Sequence, residues 1–442
     1  MLQIFMIIPV LLGIYITERK NKYIDKIFTT WIFLGVISFF ILIFLASDTF
    51  DSLKKYFLPG IFEDFFTPIM KKRNNTYLEP HYSSYPALAN IIFLGIKKCF
   101  SPTDIEIAYS KDSLLEGARY LEHTELGTYL VFMFMSVFIL LTFIVLYKYS
   151  VSNLHLDNIF LIAAILFSGP FLFFLYRGNN VFMVLPLVLL YLILYNSENK
   201  FYREVASICL AISVALKIYP VVLGILLLRR GRIKDAIHAM IYGIIFTFSP
   251  FAIYHNTDNV ILQFFKNLGT SDIYKDNSIY AYNYNISINS TLKNIFKIID
   301  INVNDISVLM AKIIIVVLGI SVCLFVEEEW KKIMSLLLIM IWLPNGTYIY
   351  VLAFTCIALL QLLADFKYSK MDYIYLVLFC ILYIPYNLPR IQGLWNVEGS
   401  IQTTYGILIL QISLVIFGLV LLVETIINTL KKHKFSREKS NA

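Results

Sequence analysis

Two acids and two bases stand where this sequence has little reason to carry charge. Glu63 and Asp64 sit in LPGIFEDFFTPI, residues 58–69, between aromatic residues and just after a long apolar run. Lys217 follows the apolar stretch VASICLAISVAL and precedes Tyr219 and Pro220, and Arg177 ends an apolar segment in FLYRGNNVF. An acid held at a membrane interface by Phe62, Phe65 and Phe66 suits proton abstraction. An intramembrane lysine is costly and points by default to a functional site. Plainer readings stand beside these. A loop carboxylate is commonly solvated, and Arg177 or Lys217 snorkels to the nearer interface. Asp48 is either a second candidate base or a solvated acid at a helix end. Glu63 is expected on the surface, because adjacent side chains on regular structure diverge.

The elements that must position these residues are apolar. The chain has 442 residues, 59% hydrophobic and 15% charged, with a mean hydropathy of +0.72. Ordinary soluble domains carry about 25% charged residues. Apolar residues come in long blocks and not in short alternating segments, which excludes a transmembrane barrel and predicts a polytopic, all-α membrane protein. About 11 apolar elements are expected, the clearest at about 1–17, 27–46, 127–147, 158–176, 181–196, 236–254, 306–326, 372–387 and 403–425. Two longer ones are broken: about 205–228 by KIYP and about 333–363 by LPNGT. A shorter piece, about 86–100, is amphipathic or dips in from the surface. The expectation is about 10–12 transmembrane helices, broken ones included, in a single membrane domain over residues 1–442. The first block lacks a cleavage site and reads as a retained helix.

Charge orients the elements. ERKNKYIDK, KYSVSNLHLDN, NSENKFYRE, RRGRIKD, EEEWKK, DFKYSKMD and the basic tail together hold about 20 lysines and arginines, against about 15 spread over much longer opposite segments. The positive-inside rule then places two large loops, about 47–126 and 255–305, outside. The first carries Asp48, Asp64, His81 and Tyr85. For the alternation to close, the 205–228 element must enter and leave on the cytoplasmic side. The net charge of +7 lies in short loop clusters and does not indicate nucleic acid. The five cysteines have no paired spacing, and the histidines show no HxxxH or HxH, so no metal site is indicated by motif.

Six segments follow one another along the chain: EDFF at Glu63–Phe66, SSYPALANIIF at Ser83–Phe93, FLYRGNNVF at Phe174–Phe182, ALKIYPVVLGILLLRRGR at Ala215–Arg232, YNYNISINSTLKNIF at Tyr282–Phe296 and LPNGTYIYVLAF at Leu343–Phe354. In this order they resemble the polytopic C-type glycosyltransferases that use a polyprenyl-phosphate sugar donor, and most of all the mannosyltransferase-like family 87. The resemblance runs from about 60 to 363, and the KIYP segment with its RRGR exit is the most specific part. Ala87 stands where the family pattern has a second proline, which is expected to loosen the 86–100 element.

The resemblance implies a membrane glycosyltransferase acting on the outer face. Asp64, with Asp48 as the alternative, would take the proton of the acceptor hydroxyl. Lys217, Arg177, Asn179, Tyr219, His81 and Tyr85 would bind substrate, the two cations facing the leaving phosphate. The tyrosine- and asparagine-rich late loop is either an acceptor cover or a plain solvated loop. One base and no paired second carboxylate imply a single displacement with inversion. The donor implied is a polyprenyl-phosphate monosaccharide, mannose or similar, and the acceptor a lipid or glycan. A divalent metal is compatible with this chemistry but required by no motif. The location implied is a cell membrane, and the basic tail fits a bacterial inner membrane. Two other classes stay open. An O-antigen-type polymerase would lean on outer-loop arginines, in which these loops are poor. A lipid-linked-sugar flippase would use the broken helices as a midplane site, with a half-sequence symmetry that is not evident.

Overall fold

In the computed structural model, the described residues are 24–46, 62–71, 77, 85–154, 159–254, 259–269, 285–299, 301–385 and 405–440. Asp48 and His81 lie outside them, as do the first apolar block and residues 270–284 of the late loop. Every regular element described is helical, and one isolated antiparallel bridge joins Asn285 to Tyr348.

The chain begins with α1 (Ile24–Ala46). Three short helices of the first loop follow, α2 (Glu63–Ile69), α3 (Ala87–Lys97) and α4 (Pro102–Tyr109), and then α5 (Leu114–His123). The bundle continues through α6 (Glu125–Leu154), α7 (Ile159–Leu166), α8 (Gly169–Arg177), α9 (Val181–Leu194) and α10 (Lys200–Leu216). A 3₁₀ stretch, Tyr219–Gly224, leads into α11 (Ile225–Arg229) and α12 (Ile233–Phe248). After α13 (Val260–Gly269) and α14 (Ile288–Ile298) come α15 (Asp305–Phe325) and α16 (Glu329–Trp342). A second 3₁₀ stretch, Ile349–Thr355, precedes α17 (Cys356–Ala364), α18 (Lys370–Tyr383) and α19 (Tyr405–Ser440).

Among the described residues, four helical stretches are long and apolar enough to cross a membrane: Glu125–Ser152, Ile233–Ile253, Asp305–Phe325 and Gly406–Lys432. The bent pair α7–α8, turned by 51°, makes a fifth. Shorter apolar helical stretches accompany them, among them Ala87–Lys97, Val181–Leu194, Tyr219–Arg229 and Ile349–Ala364. The sequence reading took 158–176 as one helix; Gly169 and Pro170 interrupt it, because proline cannot supply the helical N–H and fits best in a first turn. The expected breaks at KIYP and LPNGT are both present. Ala87 does not loosen its element: α3 is a regular helix, with Ala87 itself fully buried. α12 exposes Ile237, Met240, Ile241, Ile244 and Ile245, and α15 exposes Leu309, Met310, Ile313 and Val317. These apolar flanks suit lipid, since no aqueous surface would leave them uncovered.

The basic segments meet at one end of the bundle. Arg230 pairs with Glu329 at 3.0 Å and Arg203 with Asp235 at 2.9 Å. Arg232 donates to the Tyr195 carbonyl at 2.8 Å. The buried Lys331 reaches Glu424 at 2.7 Å, and the Tyr375 hydroxyl donates to the same carboxylate at 2.6 Å, which ties α16, α18 and α19 together. α10 leaves this end at Lys200 and α11 returns to it at Arg229–Arg232, so the segment broken at KIYP forms a hairpin. Glu63, Asp64, Arg177 and Lys217 gather at the opposite end.

Candidate active site

α2 carries the two acids, and the end of α8 holds α2 in place. Gly178 terminates α8 with a left-handed φ of 60°, the conformation glycine adopts without a Cβ penalty. The Phe62 backbone N–H then donates to the Tyr176 carbonyl at 2.8 Å, filling one of the acceptors a helix end leaves open. Phe65 is fully buried, with ring centroids 5.0 Å from Phe66, 5.9 Å from Phe93 and 5.1 Å from Phe134. Aromatic contacts therefore wedge α2 between α3 and α6, and its first two side chains meet Arg177.

Arg177 binds both acids. Its Nε donates to Asp64 Oδ2 at 3.1 Å, its Nη2 to Asp64 Oδ1, and its Nη1 to Glu63 Oε2 at 2.8 Å. The expectation that Glu63 points away is therefore corrected. At the first turn of a helix both side chains can bend back toward one fork of donors, and the planar guanidinium offers enough N–H groups for two carboxylates. Arg177 is neither snorkelling nor unclaimed: its charge is met by these two partners.

Asn179 is buried and completes the hold on Asp64. Its Nδ2 donates to Asp64 Oδ2 at 2.7 Å and lies 3.2 Å from the Tyr350 hydroxyl and 3.5 Å from the Tyr85 hydroxyl. Its Oδ1 accepts from the Val181 backbone N–H at 3.1 Å, which fixes the amide's orientation. Tyr85 is placed by its own segment: its carbonyl accepts from Tyr77 Oη at 2.9 Å and from Asn90 Nδ2 at 3.2 Å. Burial, and after it the Asp64 charge, push the Tyr85 phenol well above its ordinary pKa, so it stays a neutral hydroxyl.

Lys217 arrives from the break after α10. Pro220 lacks the N–H that would close the next helical bond onto Leu216, and Asn180 Nδ2 takes that carbonyl instead, at 3.2 Å. Lys217 adopts an extended backbone, and its Nζ lies 4.4 Å from the centroid of the Tyr85 ring, within electrostatic reach of Asp64. It makes no hydrogen bond among the described residues. Tyr219 packs edge-on to Phe354 at 6.2 Å, and its buried hydroxyl has no partner among the described residues.

Of the residues expected at a site, Asp64, Arg177, Asn179, Lys217, Tyr219 and Tyr85 therefore converge. The sequence reading missed four others. Asn180 is the second amide of RGNN. Tyr350 belongs to the LPNGTYIYVLAF segment. Tyr348 bridges to Asn285 and so brings the late loop against the site, with its ring 5.9 Å from that of Tyr350. Lys71 Nζ lies 5.6 Å from the Tyr85 ring. The signal for Lys71 was the cluster Lys71-Lys72-Arg73, a basic run in a loop assigned to the side poor in basic residues. No group of three or more metal-ligating side chains occurs among the described residues.

A half-buried carboxylate fixed by an arginine and an amide, beside a cation without a hydrogen-bonding partner among the described residues, is equipped for deprotonation next to a bound anion. One comparison with known proteins supports the class. Among curated proteins and solved structures nothing matches the chain. The family model described as glycosyltransferase family 87 matches residues 124–364, more than half of the chain, and includes Arg177, Asn179, Lys217, Tyr219 and Tyr350. With that match laid over a helical membrane bundle, the chain belongs to glycosyltransferase family 87 and is a membrane enzyme that transfers a sugar.

Proposed function

We propose that the enzyme moves a single sugar, mannose or a close relative, from a polyprenyl-phosphate donor to a lipid or glycan acceptor on the extracytoplasmic face of a cell membrane. The observation that carries this reading is the convergence of Asp64 and Lys217 on Tyr85. Asp64 is held by Arg177 and Asn179, and Lys217 Nζ lies 4.4 Å from the Tyr85 ring centroid with no hydrogen bond among the described residues. The orientation is supported by the basic cluster at the opposite end of the bundle.

In this reading Asp64 is the base. A carboxylate offers about four lone-pair positions. Oδ2 accepts from Arg177 Nε and Asn179, and Oδ1 accepts from Arg177 Nη2, so the open position is on Oδ1. The acceptor hydroxyl approaches there, gives up its proton, and attacks the anomeric carbon from the side opposite the phosphate. Lys217 meets the phosphate oxygens. Arg177, already bound to two carboxylates, serves to position Asp64. Tyr348 and Asn285 bring the late loop to the acceptor side. A single displacement with one base inverts the anomeric configuration.

The test is transfer by the purified protein in lipid nanodiscs, offered radiolabelled polyprenyl-phosphate mannose, a nucleotide sugar or a lipid-diphosphate oligosaccharide. The reading expects label to move from the first donor alone. Consumption of the diphosphate oligosaccharide would favour polymerisation, and movement of lipid-linked sugar across the bilayer without transfer would favour a flippase.

A further inference from the structure

Between α16 and the second 3₁₀ stretch the backbone leaves helical geometry at LPNGT, close to the site. In an apolar bundle its N–H and C=O groups need partners from the protein itself. Asn285 supplies several. Its Oδ1 accepts from the Thr347 N–H at 3.1 Å and from the Ser287 N–H at 2.9 Å, and its Nδ2 donates to the Asn345 carbonyl at 3.2 Å. Ser287 Oγ donates to the same carbonyl at 3.0 Å, and the Ile286 N–H to the Thr347 carbonyl at 2.6 Å. Lys312 of α15 donates to Asn345 Oδ1. Directional bonds therefore fasten the late segment to the LPNGT turn.

Gln411 of α19 holds this junction from the other side. It is fully buried. Its Nε2 donates to the Asn285 carbonyl at 2.8 Å and to Ser290 Oγ at 3.2 Å, and its Oε1 accepts from Asn294 Nδ2 at 3.0 Å. Both ends of the amide are in use, which fixes its orientation. A glutamine inside a membrane span is costly, whereas a leucine there is not. What the glutamine adds is direction: apolar packing is non-directional and lets a segment slide, and hydrogen bonds set where it stops. The family match ends at residue 364, and α19 lies beyond it. Contacts lead from Gln411 to the base nonetheless. Asn285 bridges to Tyr348, whose ring lies 5.9 Å from that of Tyr350. The Tyr350 hydroxyl lies 3.2 Å from Asn179 Nδ2, which donates to Asp64 at 2.7 Å.

We propose that Gln411 is a positioning residue for the acceptor: by holding the Asn285 carbonyl it fixes the late segment, and through Tyr348 and Tyr350 it sets the wall beside which the acceptor hydroxyl meets Asp64. This rests on the acceptor-side placement of the late loop in the proposed function. Gln411 bonds to neither Asp64 nor Lys217, and the Lys217–Tyr85 side is built from other elements. Its loss therefore separates use of the acceptor from use of the donor.

The experiment compares wild type with Gln411→Met and Gln411→Leu in nanodiscs. Thr425→Val is the control, a buried polar residue of α19 whose hydroxyl donates to the Leu421 carbonyl of the same helix at 2.6 Å. Label from polyprenyl-phosphate mannose is followed to octyl mannoside, the acceptor probe, and to water. Amide hydrogen exchange at Ile286, Ser287 and Thr347 is measured on the same proteins without substrate. Gln411→Met should lose about ten- to a hundred-fold in kcat/KM for octyl mannoside, with donor KM and release to water within about threefold of wild type. Exchange at the three amides should quicken by about tenfold or more, and Thr425→Val should match wild type throughout. Should neither Gln411 variant fold, Ser287→Ala, which removes one bond at the same junction, carries the same split at smaller size. Wild-type transfer in a folded Gln411 variant would overturn the proposal, as would equal losses with octyl mannoside and water, or slowed transfer with unchanged exchange. Should wild type leave octyl mannoside unlabelled, exchange decides alone: faster exchange supports the hold of Gln411 on the late segment, and unchanged exchange removes it. Release of label to water then shows separately whether the phosphate-linked donor stands.

Discussion

A Cβ built on Gly178 would lie 3.1 Å from the Phe62 Cα and 3.2 Å from the Phe65 Cβ. The left-handed end of α8 and the start of the acid-bearing α2 are therefore one joint. Phe62 also has a positive φ, 56°, so both chains turn sharply where they touch. The joint sets the angle at which Glu63 and Asp64 reach Arg177, before any side chain chooses a rotamer.

Gly178→Ala should strain this joint. A left-handed backbone costs an alanine about 1–2 kcal/mol, and the added methyl meets backbone and Cβ atoms that cannot swing aside. The expected result is a lowered melting temperature and a loss of turnover larger than that of stability, because a misplacement of about 1 Å can cost about a hundredfold in rate. Melting and initial transfer rates measured on one preparation check both.

Glu63→Gln should be felt in catalysis even though the acid itself is not the base. It removes one charge that orients Arg177 and leaves the guanidinium freer to follow Asp64 alone. The pair is partly exposed, with Arg177 23% and Glu63 30% accessible, so its loss should cost about 1 kcal/mol or less in stability. The expected effect is a few-fold drop in kcat with donor binding intact, read from steady-state kinetics at saturating donor.

Much of this was legible in the sequence, for a physical reason. Prolines announce broken helices, so KIYP and LPNGT marked two breaks, and a lysine after twelve apolar and small residues marked a half-buried cation. What stayed hidden depends on direction in space. Periodicity sent Glu63 away from Asp64, but Arg177 from the next bundle layer draws both to itself. Asn180 and Tyr350 act through contacts with residues remote in sequence, Leu216 and Asn179, which no local pattern encodes. The break in α7–α8 was visible as Ser168-Gly169-Pro170 and was passed over because the flanking residues are uniformly apolar.

Glu122 gives the structure a pH signature. Burial, together with the nearby Glu63 charge, pushes its carboxyl from 4.5 up to about 7, against the opposing pull of Arg119. A carboxyl with a raised folded pKa binds its proton more tightly when folded. Stability is therefore lost as pH rises from about 4.5 to about 7 and is flat above that. Glu122→Gln removes this dependence. Melting curves from pH 5 to 8 should show the variant gaining on wild type as pH rises, with the two converging at the acid end.

Lys217→Met should weaken use of the donor while the protein stays in the membrane. Loss of a charge-assisted phosphate contact costs about 1.5–3 kcal/mol, or roughly ten- to a hundred-fold in affinity. Transfer at limiting donor is the measurement. Normal transfer there would reduce Lys217 to a cation resting on Tyr85.

The most direct test of the account is turnover by Asp64→Asn. The substitution keeps the shape of the side chain and removes the base. Asp48→Asn is compared in parallel, because Asp48 lies outside the described residues and is the other acid the sequence offers. With Asp64 as base, kcat in the asparagine variant falls by about 10²–10⁴-fold, polyprenyl monophosphate still binds, and Asp48→Asn turns over normally. Normal transfer by Asp64→Asn, with or without loss in Asp48→Asn, would contradict the assignment and leave Asp64 as the structural partner of Arg177.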